Sequence, residues 1–206
     1  MAHDHPHGHS PDHPHGTGPG PLADASVRMA RESDAPAVGL VQSVVWRDAY
    51  AEVVPSEALA AFEPSAFAGA WRRSLAAPPA GVYRLLVACA GDQVVGFAAL
   101  GPSQDPDAGH ETGELTAFGV HPEARHAGHG SRLLNAAVDT LRGAGARTMH
   151  AWLLAGDEST RAFLLASGLR PDGAFRDRVV SPEGDTAREV RLVAALTEPE
   201  TTPTGP

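Results

Sequence analysis

The segment Glu114–Ser131 reads ELTAFGVHPEARHAGHGS, and its residue types suit the binding of an anionic ligand. A strand ends near Val120, a loop carries Arg125-His126-Ala127-Gly128-His129-Gly130, and a helix begins. Glycines 128 and 130 let the backbone approach a ligand closely. The free N–H groups and positive dipole end of a helix start suit a phosphate or pyrophosphate. Arg125 and Arg132 add positive charge beside it. The segment lacks the Gly-Lys-Ser/Thr of a Walker loop and the GxGxxG spacing of a dinucleotide fingerprint.

The elements that must position this loop follow from patterning. Val27–Ala30 reads as a short strand. A helix capped at Ser33 or Asp34, with Pro36 in its first turn, runs to about Tyr50. A second, short helix starts at Pro55-Ser56-Glu57, and a third at Pro64-Ser65 carries Trp71 to Leu75. Tyr83–Cys89 and Val94–Leu100 flank a Gly91-Asp92 turn and form a hairpin. In the strand Gly113–Val120 the apolar positions Leu115, Phe118 and Val120 break the period of two, which predicts a bulge near Thr116-Ala117. Leu133, Leu134, Ala137, Val138 and Leu141 recur at helical spacing from Gly130 onward, and Gly143 and Gly145 close that helix. A strand over Thr148–Leu154, a helix over Asp157–Ser167 and strands near Gly173–Val180 and Arg188–Leu196 complete an α/β fold. No internal repeat is present.

Arg-x-x-Gly-x-Gly after a strand ending Val120-x-Pro122 resembles the acetyl-CoA loop of the GNAT N-acetyltransferases. Asp157-x-x-x-Arg161-x-Phe163 followed by Gly168-Leu169-Arg170-Pro171-Asp172-Gly173 resembles that family's next strand–helix–strand unit. Trp46-Arg47-Asp48-Ala49-Tyr50, Pro55 and Trp71 are similar to the acceptor-side helices of many bacterial members. The resemblance covers about Ser26 to Leu196. It implies a mixed, mostly antiparallel twisted sheet with a β-bulge, flanked by helices on both faces.

It also implies roles. Backbone groups of Phe118, Gly119 and Val120 would pair with the pantetheine arm of acetyl-CoA. Arg125 would add charge, and the N–H groups of His126, Ala127, Gly128, His129, Gly130 and Ser131 would hold the pyrophosphate. A backbone N–H at Phe118 or Gly119 would stabilise the oxyanion. Glu114, just before the bulge, is the expected general base for an amine acceptor. Two positions depart from the family's pattern. The tyrosine that often follows the phenylalanine of the last helix is Leu164, and the family's asparagine is Asp157, which could still orient the pantetheine. Trp46, Tyr50, His150 and Trp152 are acceptor-pocket residues on one reading and packing residues on the other. Cys89, flanked by alanines, reads as a buried hydrophobe. The expected activity is transfer of an acetyl group from acetyl-CoA to a primary amine of a small molecule, peptide or protein, by direct attack in a ternary complex. The alternative is a catalytically weak acyl-CoA-binding sensor or regulatory module.

Composition sets the outer limits. The chain has 206 residues, one cysteine and a formal net charge of −9. All 16 basic residues are arginine, and isoleucine is absent too, which fits a GC-rich coding sequence. A net-acidic chain argues against a nucleic-acid backbone as partner. A single cysteine rules out an internal disulfide framework, no apolar run is long enough for a membrane span, and no secretory signal is read. A cytoplasmic protein is expected, and a homodimer is one open arrangement. Six of the 11 histidines fall in the first fifteen residues, alternating with Asp, Pro and Gly. The expected organisation is a disordered His-rich tail over 1–25, the acetyltransferase domain over 26–196 and a disordered tail over 197–206. The leader's spacing could chelate Zn²⁺, Ni²⁺ or Cu²⁺, but the core chemistry requires no metal.

Overall fold

A computed structural model describes residues 25–181 and 184–196. Both expected tails, and the metal-binding reading of the leader, lie outside the described residues apart from Ala25.

Seven strands form one sheet in the order β1-β2-β3-β4-β5-β7-β6. They are β1 (Ala25–Met29), β2 (Arg84–Ala90), β3 (Gln93–Pro102), β4 (Thr112–Val120), β5 (Thr148–Leu154), β6 (Arg170–Val179) and β7 (Thr186–Ala195). Every neighbouring pair is antiparallel except β4 with β5. Helices α1 (Ala35–Tyr50), α2 (Ser56–Ala60) and α3 (Pro64–Ala76) precede the β2–β3 hairpin, α4 (His129–Gly143) links β4 to β5, and α5 (Glu158–Ala166) links β5 to β6. The parallel β4–β5 pair requires this crossover helix, because parallel strands cannot be joined by a tight turn.

Two apolar layers sandwich the sheet. On one face Val38 and Val41 of α1 pack on Leu85, Val87, Phe97 and Ala99, with Trp71 and Leu75 of α3 against them. Cys89 is buried in the same layer. The Trp71 Nε1–H donates to the buried Gln42 Oε1 at 2.6 Å and ties α3 to α1. On the other face Leu133, Leu134, Ala137 and Leu141 of α4 pack on Leu86, Ala98, Leu115 and Met149. These four positions are one stripe of the helix, and each buried leucine contributes about 2 kcal/mol.

The bulge is a single extra residue. Ala99 pairs with Ala117 but the next residue, Leu100, pairs with Leu115, so Thr116 has no partner across the ladder. Its hydroxyl donates to the Ala99 carbonyl at 3.2 Å instead. The local break in periodicity has a second consequence. β4 pairs with β5 only from Thr112–Thr148 to Leu115–Ala151, although both strands run on to Val120 and Leu154. Past the bulge they diverge and leave a slot.

The ends of several elements differ from the sequence expectation. α4 begins at His129, one residue early, because Gly128 adopts φ +81° and serves as the cap. β6 begins at Arg170 rather than Gly173; Pro171 is tolerated because β6 is an edge strand.

Candidate functional site

The loop between β4 and α4 is built from unusual backbone. A one-turn 3-10 helix at Pro122–Ala124 turns the chain away from β4. His126 then takes φ +62°, a left-handed conformation that is rare for a residue with a Cβ, and Gly128 follows at φ +81°. The first bond inside α4 runs from the Arg132 N–H to the Gly128 carbonyl at 3.1 Å. The N–H groups of His129, Gly130 and Ser131 precede it, so they belong to the set that a helix cannot satisfy internally. Together with the dipole they form an anion-binding end. The Arg125 Nε–H donates to the Val120 carbonyl at 3.3 Å, and Asp48 of α1 lies 3.6 Å from its guanidinium. Arg132 donates to the Ala127 carbonyl at 3.2 Å.

This helix end opens into a groove of about 670 Å³. Val45, Asp48 and Ala49 of α1 form one side, and Asp157, Ser159, Thr160, Ala162 and Phe163 form the other. Phe118, Val120, Arg125, His126, Gly128, Gly130 and Ser131 complete it. Thus eight of the expected ligand residues, counting Asp157, share one cavity. A Cβ placed on Gly130 would stand 3.3 Å from the Phe163 ring and 3.7 Å from the Phe118 ring, so the glycine leaves space beside the two rings that line the groove.

Three expected residues sit apart from the groove lining. Gly119 faces Phe97 and Val45, where a Cβ would come within 3.0 Å of the phenylalanine ring. The Ala127 carbonyl is engaged by Arg132. The His129 side chain turns inward and is buried, and its Nδ1 has no partner among the described residues. Burial depresses its basicity, reinforced by the charge of Arg132. Asp157 caps α5, accepting the Thr160 N–H at 3.0 Å.

The sheet just before the bulge, where β4 still pairs with β5, carries a polar layer. Glu114 is buried, and its Oε2 accepts from the Ser103 hydroxyl at 3.3 Å. Burial raises its pKa above the usual carboxylate value, with the nearby Asp105 charge acting in the same direction. His150 Nδ1 and the Trp152 indole N–H both reach Asp105, at 3.0 and 3.1 Å, so the two share a face and a partner. Arg191 bridges Asp105, Asp107 and Asp172 at 2.6–3.0 Å. Arg176 lies over the Trp152 ring at 4.2 Å and pairs with Glu189, which Arg178 also meets. Burial pushes Asp105 upward, but hydrogen bonds from Arg191, His150 and Trp152 outweigh it and hold the carboxyl below its ordinary range.

Trp46 and Tyr50 pack with Phe62 and Phe67 in an aromatic cluster at the α1 C-terminus, ring centroids 5.3–6.1 Å apart. Burial raises the Tyr50 pKa. Leu164 is buried in the core between α4 and the sheet, away from the groove lining.

The sequence reading did not single out Ser103, Asp105, Arg176, Glu189 or Arg191. The acid-rich run Asp105–Glu111 was the visible signal, but the side-chain partners of Asp105 across the sheet lie 45–86 residues away. Among the described residues no group of three or more His, Cys, Asp or Glu is arranged to hold a metal, and no helix is long and apolar enough to cross a membrane.

A model of the acetyltransferase (GNAT) family matches residues 45–168. Among solved structures, yncA from Salmonella typhimurium, determined with its cofactor acetyl-CoA, superposes with a TM-score of 0.61 at 18% identity, covering 88% of this chain and 99% of that one. The paia N-acetyltransferase from Thermoplasma acidophilum in complex with coenzyme A gives 0.60 at 17% identity, over 81% and 98%. The ribosomal-protein-alanine N-acetyltransferase from Brucella melitensis gives 0.58 at 24% identity, over 82% and 99%. At these identities the likeness is one of fold. Among curated proteins, no sequence matches this chain.

Proposed function

The chain belongs to the acetyltransferase (GNAT) family, whose model spans more than half its length, and on that footing we propose that it is an acetyl-CoA-dependent N-acetyltransferase acting on a primary amine. The observation that carries this reading is that the groove at the start of α4 is also lined by Phe118 and Val120, the part of β4 that β5 leaves unpaired. An elongated ligand with a phosphate-bearing head and an extended arm fits that shape. Fold neighbours solved with acetyl-CoA and coenzyme A support the choice of ligand.

The N–H groups of His126 to Ser131 hold the pyrophosphate, with Arg125 adding charge. The free edge of Phe118–Val120 pairs with the pantetheine arm as an added strand would. Past the bulge a backbone N–H at Phe118 or Gly119 faces the thioester carbonyl and stabilises the charge that develops on its oxygen. Glu114 takes a proton from the acceptor nitrogen, directly or through a water. The nitrogen lone pair then forms the C–N bond, the C–S bond breaks with the electron pair going to sulfur, and the proton left on nitrogen passes to that thiolate, so the products are the neutral amide and coenzyme A as its thiol, with the first proton held by Glu114. A thiol with pKa near ~8.5 leaves as a thiolate without a donor at position 164. The raised pKa of Glu114 suits a base that works near neutral pH. The Trp46–Tyr50 cluster and the His150–Trp152 strand face border the acceptor side.

Thiol release from acetyl-CoA, followed with DTNB across a panel of small-molecule amines, N-terminal peptides and amino acids, tests the activity. Turnover on at least one amine is expected. The buried Leu164 favours a second reading, an acyl-CoA-binding regulatory module. Acetyl-CoA binding without turnover on any amine selects that reading, and no thermal shift with acetyl-CoA rejects both.

A further inference from the structure

The hydroxyl of Ser103 stands among three polar partners. It lies 3.3 Å from Glu114 Oε2 and 3.3 Å from His150 Nδ1, and it accepts the Asp105 backbone N–H at 3.4 Å. A serine has one proton to donate, so the state of one neighbour decides which other neighbour receives it. His150 Nδ1 is also 3.0 Å from Asp105 Oδ2. That carboxylate is ionised, because hydrogen bonds from Arg191, His150 and Trp152 overcome its burial. An ionised carboxylate only accepts, so Nδ1 carries a proton and cannot accept one from Ser103. The Ser103 proton therefore points at Glu114.

We propose that Ser103 is a positioning residue for the base: oriented by the Asp105–His150 pair, its hydroxyl holds Oε2 of Glu114 and leaves Oε1 as the oxygen that takes the acceptor's proton. The inference rests on Glu114 being the base. The groups facing Glu114 come from three elements: Ser103, the Gln104 N–H and Asp105 from the loop after β3, His150 from β5 and Arg176 from β6. Their effects oppose one another. Asp105 disfavours the ionised form of Glu114, whereas Arg176, the Gln104 N–H and Ser103 favour it. Removal of Ser103 and removal of the Asp105 charge should therefore move the Glu114 titration in opposite directions, which general loosening of the site would not do.

The test uses the full-length protein labelled with [13C]-carboxyl glutamate, with the Glu114 resonance assigned by its loss in Glu114→Gln. Carboxyl shifts are titrated in wild type, Ser103→Ala, Ser103→Thr and Asp105→Asn. In parallel, kcat/KM is measured against pH with acetyl-CoA and the primary amine that turns over fastest in the panel. Ser103→Ala should raise the Glu114 midpoint by about one pH unit and lower kcat/KM about tenfold on the acid side, as expected for one hydrogen bond to a charged group. Ser103→Thr, which keeps the hydroxyl, should stay within a few tenths of wild type. Asp105→Asn should lower the midpoint, and if it fails to fold, the Ala and Thr substitutions decide alone. An unmoved midpoint in Ser103→Ala, or an equal shift in Ser103→Thr, overturns the positioning role and leaves the base assignment standing. Full turnover in Glu114→Gln overturns the base assignment itself, whatever the titration shows.

Discussion

The rings of Phe118 and Phe163 stack 5.6 Å apart and within 12° of parallel, joining the end of β4 to α5 beside Gly130. Both rings line the groove at the start of α4. The stacked pair also explains why position 130 is small. A methyl there meets the Phe163 ring at 3.3 Å, which a ring can yield to, but a branched side chain must enter the groove. Gly130→Val should weaken acetyl-CoA binding at least about tenfold, or ~1.4 kcal/mol, by isothermal titration calorimetry, while Gly130→Ala stays close to wild type.

Gly128 tests the loop in another way. Its φ of +81° costs an ordinary side chain about 1 kcal/mol, and asparagine less than most. Gly128→Asp adds a negative charge beside the anion-binding N–H groups and should abolish the thermal shift produced by acetyl-CoA. Gly128→Asn imposes similar strain without the charge and should retain part of that shift. Equal losses in the two variants would assign the effect to the added side chain, through backbone strain and its 2.6 Å approach to the Arg132 guanidinium, and not to the charge.

Glu114→Gln should lower turnover by about 100-fold with nearly unchanged acetyl-CoA affinity. In wild type kcat/KM should fall on acidification through the raised Glu114 pKa, because the base acts when ionised. Stability follows the opposite sign. A carboxyl whose folded pKa is raised favours the folded state while protonated, and that contribution is lost as pH rises through the folded value. Glu114→Gln should therefore raise Tm at pH 7–8 and have little effect near pH 4, as scanning calorimetry can check.

His129 occupies the first turn of α4, buried and, among the described residues, without a partner at Nδ1. Its folded pKa is lowered from 6.5, so the unfolded chain binds the proton more readily. Stability is complete above the unfolded value and declines as pH falls below it. His129→Leu removes that penalty. It should raise Tm more at pH 5.5 than at pH 8, and an equal gain at both values would show that packing, not protonation, is responsible.

The parts of this protein legible in the sequence are those specified by neighbours in the chain. The loop from Arg125 to Gly130 and the start of α4 depend on glycine backbone freedom and on the N–H groups of one helix turn, so a six-residue motif reports them. The bulge was readable because one extra residue shifts a period-two pattern, and Thr116 is the residue that loses its partner. The apolar stripe of α4 likewise shows which face it buries.

The polar layer had no such signature. Glu114, Ser103 and His150 lie on separate elements, and Arg191 reaches Asp105 across 86 positions. Strand alternation placed His150 and Trp152 on one face, but Asp105, which both of them bond, comes from a loop whose path is set by tertiary packing. The insertion of β7 between β5 and β6 was equally invisible, because strand order depends on which edges meet and not on local propensity. Sequence by itself determined the fold class and the glycine-bearing turn into α4, since backbone conformation and periodicity are local properties. Only the tertiary structure decided the surroundings of Glu114, because burial, charge proximity and the meeting of Ser103, Asp105 and His150 arise between residues that the chain keeps far apart.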